Sequence, residues 1–178
     1  MYLAIDIETT GLDPEKNQVI EIGAVFNDWT KPVIDCPTFH TYVEHPIYCG
    51  DAYALAMNKR VFDMLAQGLG QPDYCATYQF TEWLSELCED KKVHLLGQNV
   101  GSFDLQFLKK LSGFPGRLMS HRHLDTASIY ATVDGMPSLG ATLEEVARDF
   151  GLDGLAHEAL FDARVALAAA RRHWGFEV

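Results

Sequence analysis

Apolar residues fall in near-continuous runs early in the chain. Tyr2-Leu3-Ala4-Ile5-Asp6-Ile7-Glu8 and Val19–Phe26 have the pattern of strands buried on both faces, and Phe39–Glu44 follows as a third. Three strands in succession predict a meander. Further strands are expected near Val93–Gln98 and His121–Leu124. Apolar positions at helical spacing predict helices over Ala52–Gln67, Tyr78–Cys88, Ser102–Leu111, Thr142–Phe150 and Glu158–Trp174. Strands first, then helices alternating with strands, predict a single α/β domain over residues 1–178: a mixed sheet flanked by helices, with no repeat or linker.

Asp6 and Glu8 interrupt the first run. Side chains alternate along a strand, so both project from one face with Cα atoms about 6–7 Å apart. Two like charges leaving a buried strand are costly unless a cation neutralises them or one stays protonated. Hard oxygen donors suit magnesium or manganese rather than zinc. For an isolated Asp-x-Glu the better reading would be a pair of solvated acids at an exposed strand end, because the pattern is common. Thr9-Thr10-Gly11-Leu12-Asp13-Pro14 then leaves the strand through a turn, in which Gly11 can take a positive φ and Pro14 ends regular structure. The acids therefore sit at the carboxyl end of a central strand, where sites form in open α/β sheets.

Two acids lie farther along. Asp104 aligns with Leu108 and Leu111 at helical spacing, behind Ser102 as an expected N-cap, and so faces the core edge. Its position in a first turn is also favoured by the helix dipole alone. Asp162 has Ala159, Val165, Ala166 and Ala169 around it on the packed face of the final helix. A buried Asp needs partners, which a structural hydrogen-bond network could supply, and without the other acids that reading would be preferred. His157 lies five residues upstream, off the face that carries Asp162 in any regular helix. It is expected in the entering loop, able to reach over the same site, and a histidine suits proton transfer near neutral pH. The stretch Ile47–Met57, with Tyr48, Tyr53 and Met57, reads as either a substrate-side loop and helix or an ordinary amphipathic helix.

In order, Asp6-Ile7-Glu8-Thr9-Thr10-Gly11-Leu12, Asn99-Val100-Gly101-Ser102-Phe103-Asp104 and His157-Glu158-Ala159-Leu160-Phe161-Asp162 resemble the three motifs of the DEDDh exonucleases of the ribonuclease-H-like superfamily. The resemblance runs from Tyr2 to about His173. It implies a ribonuclease-H-like fold and a 3′–5′ exonuclease that uses two divalent ions, Mg2+ or Mn2+, and releases nucleoside 5′-monophosphates. By the same resemblance Asp6, Glu8, Asp104 and Asp162 are metal ligands and His157 is the general base. Thr9, Thr10, Gly11 and Leu12 would seat the terminal nucleotide. Asn99 would either contact substrate or brace the second motif.

DNA and RNA ends both remain open, with DNA slightly ahead. The five-position step from Asn99 to Asp104, and Arg122–Thr126, look more like oligoribonucleases. Ser138-Leu139 and Thr142–Ala147 look more like the proofreading side. Oligoribonuclease-like proteins often form homodimers, although no feature here requires it. Two other classes stand beside the enzyme: a non-catalytic nucleic-acid-binding relative, and a subunit docking on a polymerase. A binding module has no need to concentrate four acids and a histidine.

Net charge changes this picture. The chain carries 14 Lys and Arg against 25 Asp and Glu, for a net charge of −11, whereas proteins that grip long nucleic acid show a basic stripe. A short footprint of a few nucleotides at a single-stranded end, held weakly, is expected. No apolar stretch spans a bilayer and no signal-peptide pattern opens the chain. Cys36, Cys49, Cys75 and Cys88 form no close metal-binding pair, so reduced thiols and a cytoplasmic setting are expected.

Overall fold

The computed structural model describes residues 1–133 and 139–176. Six strands form one mixed sheet: β1 (Tyr2–Thr9), β2 (Val19–Phe26), β3 (Thr38–Glu44), β4 (Gly70–Pro72), β5 (Val93–Gly97) and β6 (Met119–Asp125), in the order β4-β3-β2-β1-β5-β6. The first three form the expected antiparallel meander. Across the other edge β5 runs parallel to β1, and β6 parallel to β5. The central strand is thus β1, whose carboxyl end carries the acidic pair.

Seven helices are described: α1 (Ala52–Met57), α2 (Lys59–Ala66), α3 (Asp73–Cys88), α4 (Asp104–Leu108), α5 (Thr126–Val133), α6 (Leu139–Asp149) and α7 (Ala159–His173). Among these residues no helix is long and apolar enough to cross a membrane. Alternation on β1 divides the core. Leu3, Ile5 and Ile7 pack with Phe80 and Leu84 of α3 and Phe107 and Leu108 of α4. Ala4 faces the opposite layer, with Val146 of α6 and Ala163, Val165, Ala166 and Leu167 of α7. Asp6 and Glu8 share Ala4's face, so the period of two aims them at the α7 layer.

Several boundaries differ from the sequence expectation. The single helix over Ala52–Gln67 is broken at Asn58, which serves as C-cap of α1 and N-cap of α2. The second-motif helix is only Asp104–Leu108, and Ser102 is not its N-cap; its hydroxyl donates instead to the Asn99 carbonyl at 3.1 Å. Helix α3 starts at Asp73 rather than Tyr78. Strand β4 and helix α5 were not foreseen: β4 is three residues long, and α5 has no polar face to give it a helical period. Ser138, part of one compared segment, lies outside the described residues.

Gly11 does not use the positive φ open to it. A Cβ there would stand 2.4 Å from Asp51 Oδ2 and 2.5 Å from Asn17 Oδ1, so those side chains would have to shift to admit one. At the far end of α7, the guanidinium of buried Arg171 donates to Asn27 Oδ1 and to the carbonyls of Asp28 and Lys31, each at 2.7 Å, fastening the helix to the loop after β2.

Candidate active site

Three elements bring the acids together. Asp6 pairs across the sheet with Gly23 of β2. A Cβ on Gly23 would lie 2.1 Å from the Leu160 amide nitrogen, so only glycine lets the first turn of α7 rest against the strand. That close approach carries Asp162 over the acidic face of β1. Nδ1 or Nε2 of His157 and one carboxylate oxygen each of Glu8 and Asp162 all lie within 4.8 Å of one another.

His157 is in the loop before α7, as expected, with φ +65. Its amide donates to Asp162 Oδ2 at 2.9 Å. Asp104 enters from the opposite layer. Its side chain is 2% exposed, and Oδ1 accepts the Ile7 amide at 3.2 Å.

Burial of this much negative charge shows in the acidities. Desolvation, then Asp162 and Glu21, push Glu8 up to about 7, against smaller opposing effects of Asn58 and Arg60. Desolvation likewise raises Asp104 to about 7, although its backbone hydrogen bonds pull the other way. Asp6 is raised well above the usual range by desolvation and by Asp104, Asp162, Glu8 and Glu21 in turn. Desolvation also raises Asp162, against the His157 amide. Four carboxylates that resist ionisation as they stand form an oxygen donor set whose missing complement is positive charge, so they fit divalent cations.

The acids lie in a cleft of about 990 Å³ that includes Leu12, Tyr53, Met57, Phe103, Leu155 and Phe161. Of the residues expected to seat a nucleotide, Thr9, Gly11, Leu12 and Asn99 line it, and Leu12 is 79% exposed. Thr10 does not. It is fully buried, its hydroxyl donates to the Cys49 carbonyl at 2.6 Å and accepts the Gln18 amide at 2.9 Å, and its own amide is bonded to Gln18. Thr10 therefore braces the loop, because the alternation that brings Glu8 to the α7 face breaks at the register shift between Glu8 and Thr9.

Asn99 braces the second motif and also borders the cleft. Its left-handed backbone (φ +57) turns the chain into the second motif, with its amide on Asp125 Oδ1 at 3.0 Å, while its side chain is exposed in the cleft. Of Ile47–Met57, Asp51, Tyr53, Ala54 and Met57 line the cleft, which favours the substrate-side reading of that stretch.

Three polar residues at the site were missed in the sequence. Asn58, 2% exposed at the helix break, donates to the Thr9 carbonyl at 3.0 Å, and its Oδ1 has no hydrogen-bond partner among the described residues. Glu21, fully buried on β2, stands directly opposite Glu8. Arg60 donates to Glu21 Oε2 at 2.6 Å. Glu21 carried the same signal as Asp6, an acid inside an apolar strand run. Arg60 and Asn58 carried none, because each acts only through the break between α1 and α2.

Comparison with known proteins agrees with this geometry. Residues 3–170 match the family model described as exonuclease, RNase_T. The chain is 33% identical over 171 residues to the DNA polymerase III subunit epsilon of Treponema pallidum (strain Nichols), covering 93% of this chain and 73% of that protein. Among solved structures, the nuclease domain of 3′hExo, a DEDDh family member bound to rAMP, aligns over 99% of this chain and 94% of its own, with TM-score 0.67 and 18% identity. Escherichia coli exonuclease I in complex with a dT13 oligonucleotide aligns over 96% of this chain with TM-score 0.62 and 18% identity; only 39% of that longer chain is spanned. The fold, the order of the motifs and the family match lead to one assignment: the chain belongs to the exonuclease family of that model, and its mixed sheet has the ribonuclease-H-like fold of the solved exonucleases.

Proposed function

We propose that residues 1–178 form one exonuclease domain that removes nucleotides singly from the 3′ end of single-stranded nucleic acid, DNA ahead of RNA, releasing nucleoside 5′-monophosphates. The observation that carries this reading is the convergence of Asp6, Glu8, Asp104, Asp162 and His157 at one end of an open cleft. Asp6, Glu8 and Asp162 would hold one Mg2+ or Mn2+ ion and Asp6 with Asp104 a second. The chemistry such ions would supply there is acidification of the attacking water and charge neutralisation at the leaving 3′-oxygen.

The chain's own groups supply the rest. The His157 ring, beside Glu8 and Asp162, takes the proton of the attacking water. Its loop is held by the hydrogen bond that the His157 amide donates to Asp162 Oδ2. Leu12 and Tyr53, each 79% exposed on the cleft, present apolar surface to the terminal bases. Net charge of −11 supports a footprint of a few nucleotides rather than a long tracked strand.

DNA is placed ahead because the relative of known role is a DNA polymerase III subunit, and that name also supports association with a polymerase. An oligoribonuclease-like activity on short RNA is the second reading, favoured by the spacing from Asn99 to Asp104 and by the rAMP-bound neighbour. Four free cysteines support a reducing, cytoplasmic setting.

The test compares 5′-labelled single-stranded DNA, RNA of matched sequence and a dinucleotide, with manganese or with chelator. A ladder shortening from the 3′ end, abolished by chelator, is expected, fastest on DNA. A dinucleotide turned over far faster than either polymer replaces the first reading by the second. No cleavage by folded, metal-loaded protein overturns both.

A further inference from the structure

Arg60 lies in the first turn of α2, just past the break at Asn58. Its guanidinium touches four groups. Nη2 donates to Glu21 Oε2 at 2.6 Å and to the His157 carbonyl at 3.3 Å. Nη1 donates to the Tyr42 hydroxyl at 3.1 Å, and Nε lies 3.5 Å from Glu158 Oε1. On the other side of Glu21, His40 Nε2 lies 2.6 Å from Oε1.

His157 is thus held by both of its backbone groups, the amide by Asp162 and the carbonyl by Arg60. It needs such restraint. A non-glycine residue at φ +65 is strained, and persists where its surroundings over-determine it. Upstream, Asp153, Gly154, Leu155 and Ala156 are all exposed, with Gly154 lying close against the Phe161 ring.

We propose that Arg60 is a positioning residue for His157, clamping the loop so that the imidazole stays over Glu8 and Asp162. This rests on the exonuclease reading, in which His157 moves the proton. The planar fork matters, because one guanidinium anchors on Glu21 and Tyr42 while reaching the carbonyl. The competing role is simpler: Arg60 only offsets the buried charge of Glu21.

Arg60→Lys separates the two. It keeps a positive charge beside Glu21, and so the fold, but a single ammonium cannot span Tyr42, Glu21 and the His157 carbonyl. A general base contributes roughly 10²–10⁴-fold, so its displacement is expected to lower kcat about tenfold with KM and calorimetric Mn2+ affinity close to wild type. In a His157→Ala background the same change is expected to add less than about twofold, since its effect passes through the missing ring. Amide hydrogen exchange at residues 154–158 should quicken in Arg60→Lys while β2 stays protected.

A full additional loss in the His157→Ala background, or exchange in the loop unchanged, overturns the proposal and leaves Arg60 as a counter-charge. Wild-type protein that binds Mn2+ but cleaves nothing overturns the exonuclease reading instead, and the exchange measurement still decides whether Arg60 holds the loop.

Discussion

The Ile7 amide donates to Asp104 Oδ1 at 3.2 Å, joining segments 97 residues apart. Pairing of β1 with β5 ends at Ala4 and Leu96, so the carboxylate serves the strand beyond the point where its neighbour stops. Asp104 is therefore a candidate metal ligand and a sheet acceptor at once. Asp104→Asn keeps an oxygen for the Ile7 amide and removes the charge. It should fold with metal-free stability equal to or above wild type and lose cleavage at least about 100-fold. Asp104→Ala should in addition lose about 1–3 kcal/mol in denaturant unfolding, because a buried N–H is left without a partner.

Asp162→Asn and His157→Ala should divide binding from proton transfer. The asparagine retains an acceptor for the His157 amide but not the charge, so calorimetric Mn2+ affinity and turnover should fall together. His157→Ala should lower turnover roughly 10²–10⁴-fold, leave Mn2+ affinity nearly intact and remove the acid limb of the pH–rate profile. Equal losses of affinity and turnover in His157→Ala would make the histidine a ligand.

Acidity gives an independent test. Glu8 rises from an ordinary 4.5 to about 7, and Asp104 from 3.8 to about 7. A folded state that binds protons more tightly than the unfolded chain has stability that is greatest below the unfolded values and is lost as pH rises toward the folded ones. The melting temperature of metal-free protein should therefore carry a falling contribution from these groups between pH 4.5 and 7. Mn2+ should reverse it, raising the melting temperature strongly at pH 8 and little at pH 5, where protons compete for the same oxygens.

Most of this site was legible in the sequence because its acids violate the pattern around them. Asp6, Glu8 and Asp162 each interrupt an apolar face, which is costly enough to signal a purpose. Thr10 was misread since adjacency in a motif says nothing of direction, and the register shift after Glu8 is a property of the paired strand β2. Asn58 and Arg60 were invisible for a related reason: a helical period that runs through Ala52–Gln67 gives no sign of the break on which both depend. The three-residue β4 exists only through its pairing with β3, a tertiary contact without local pattern.

Gly23→Ala should uncouple the site from the sheet. Its Cβ would meet backbone atoms of Ala159 and Leu160 at 2.1–2.5 Å, so the first turn of α7 must lift. Stability should fall by about 1–3 kcal/mol, with cleavage nearly abolished. Gly116→Ala, where a Cβ meets nothing within 4 Å, is the control and should match wild type in both measurements.

Leu12→Ala and Tyr53→Ala test the cleft wall. Both side chains are 79% exposed, so melting temperature should stay unchanged. Loss of stacking surface, worth about 1–3 kcal/mol per base, should appear as a higher KM on oligonucleotides. An unchanged KM in both would move the strand path away from this wall.

The contact between Gly23 and the first turn of α7 makes catalysis conditional on one docked helix. Asp6 and Glu8 belong to a strand paired on both sides, whereas Asp162 arrives only when α7 seats against β2. Partial detachment of that turn would leave the sheet with three acids, Asp6, Glu8 and Asp104, but without Asp162. A nuclease built this way would be disarmed by a local opening before it unfolds.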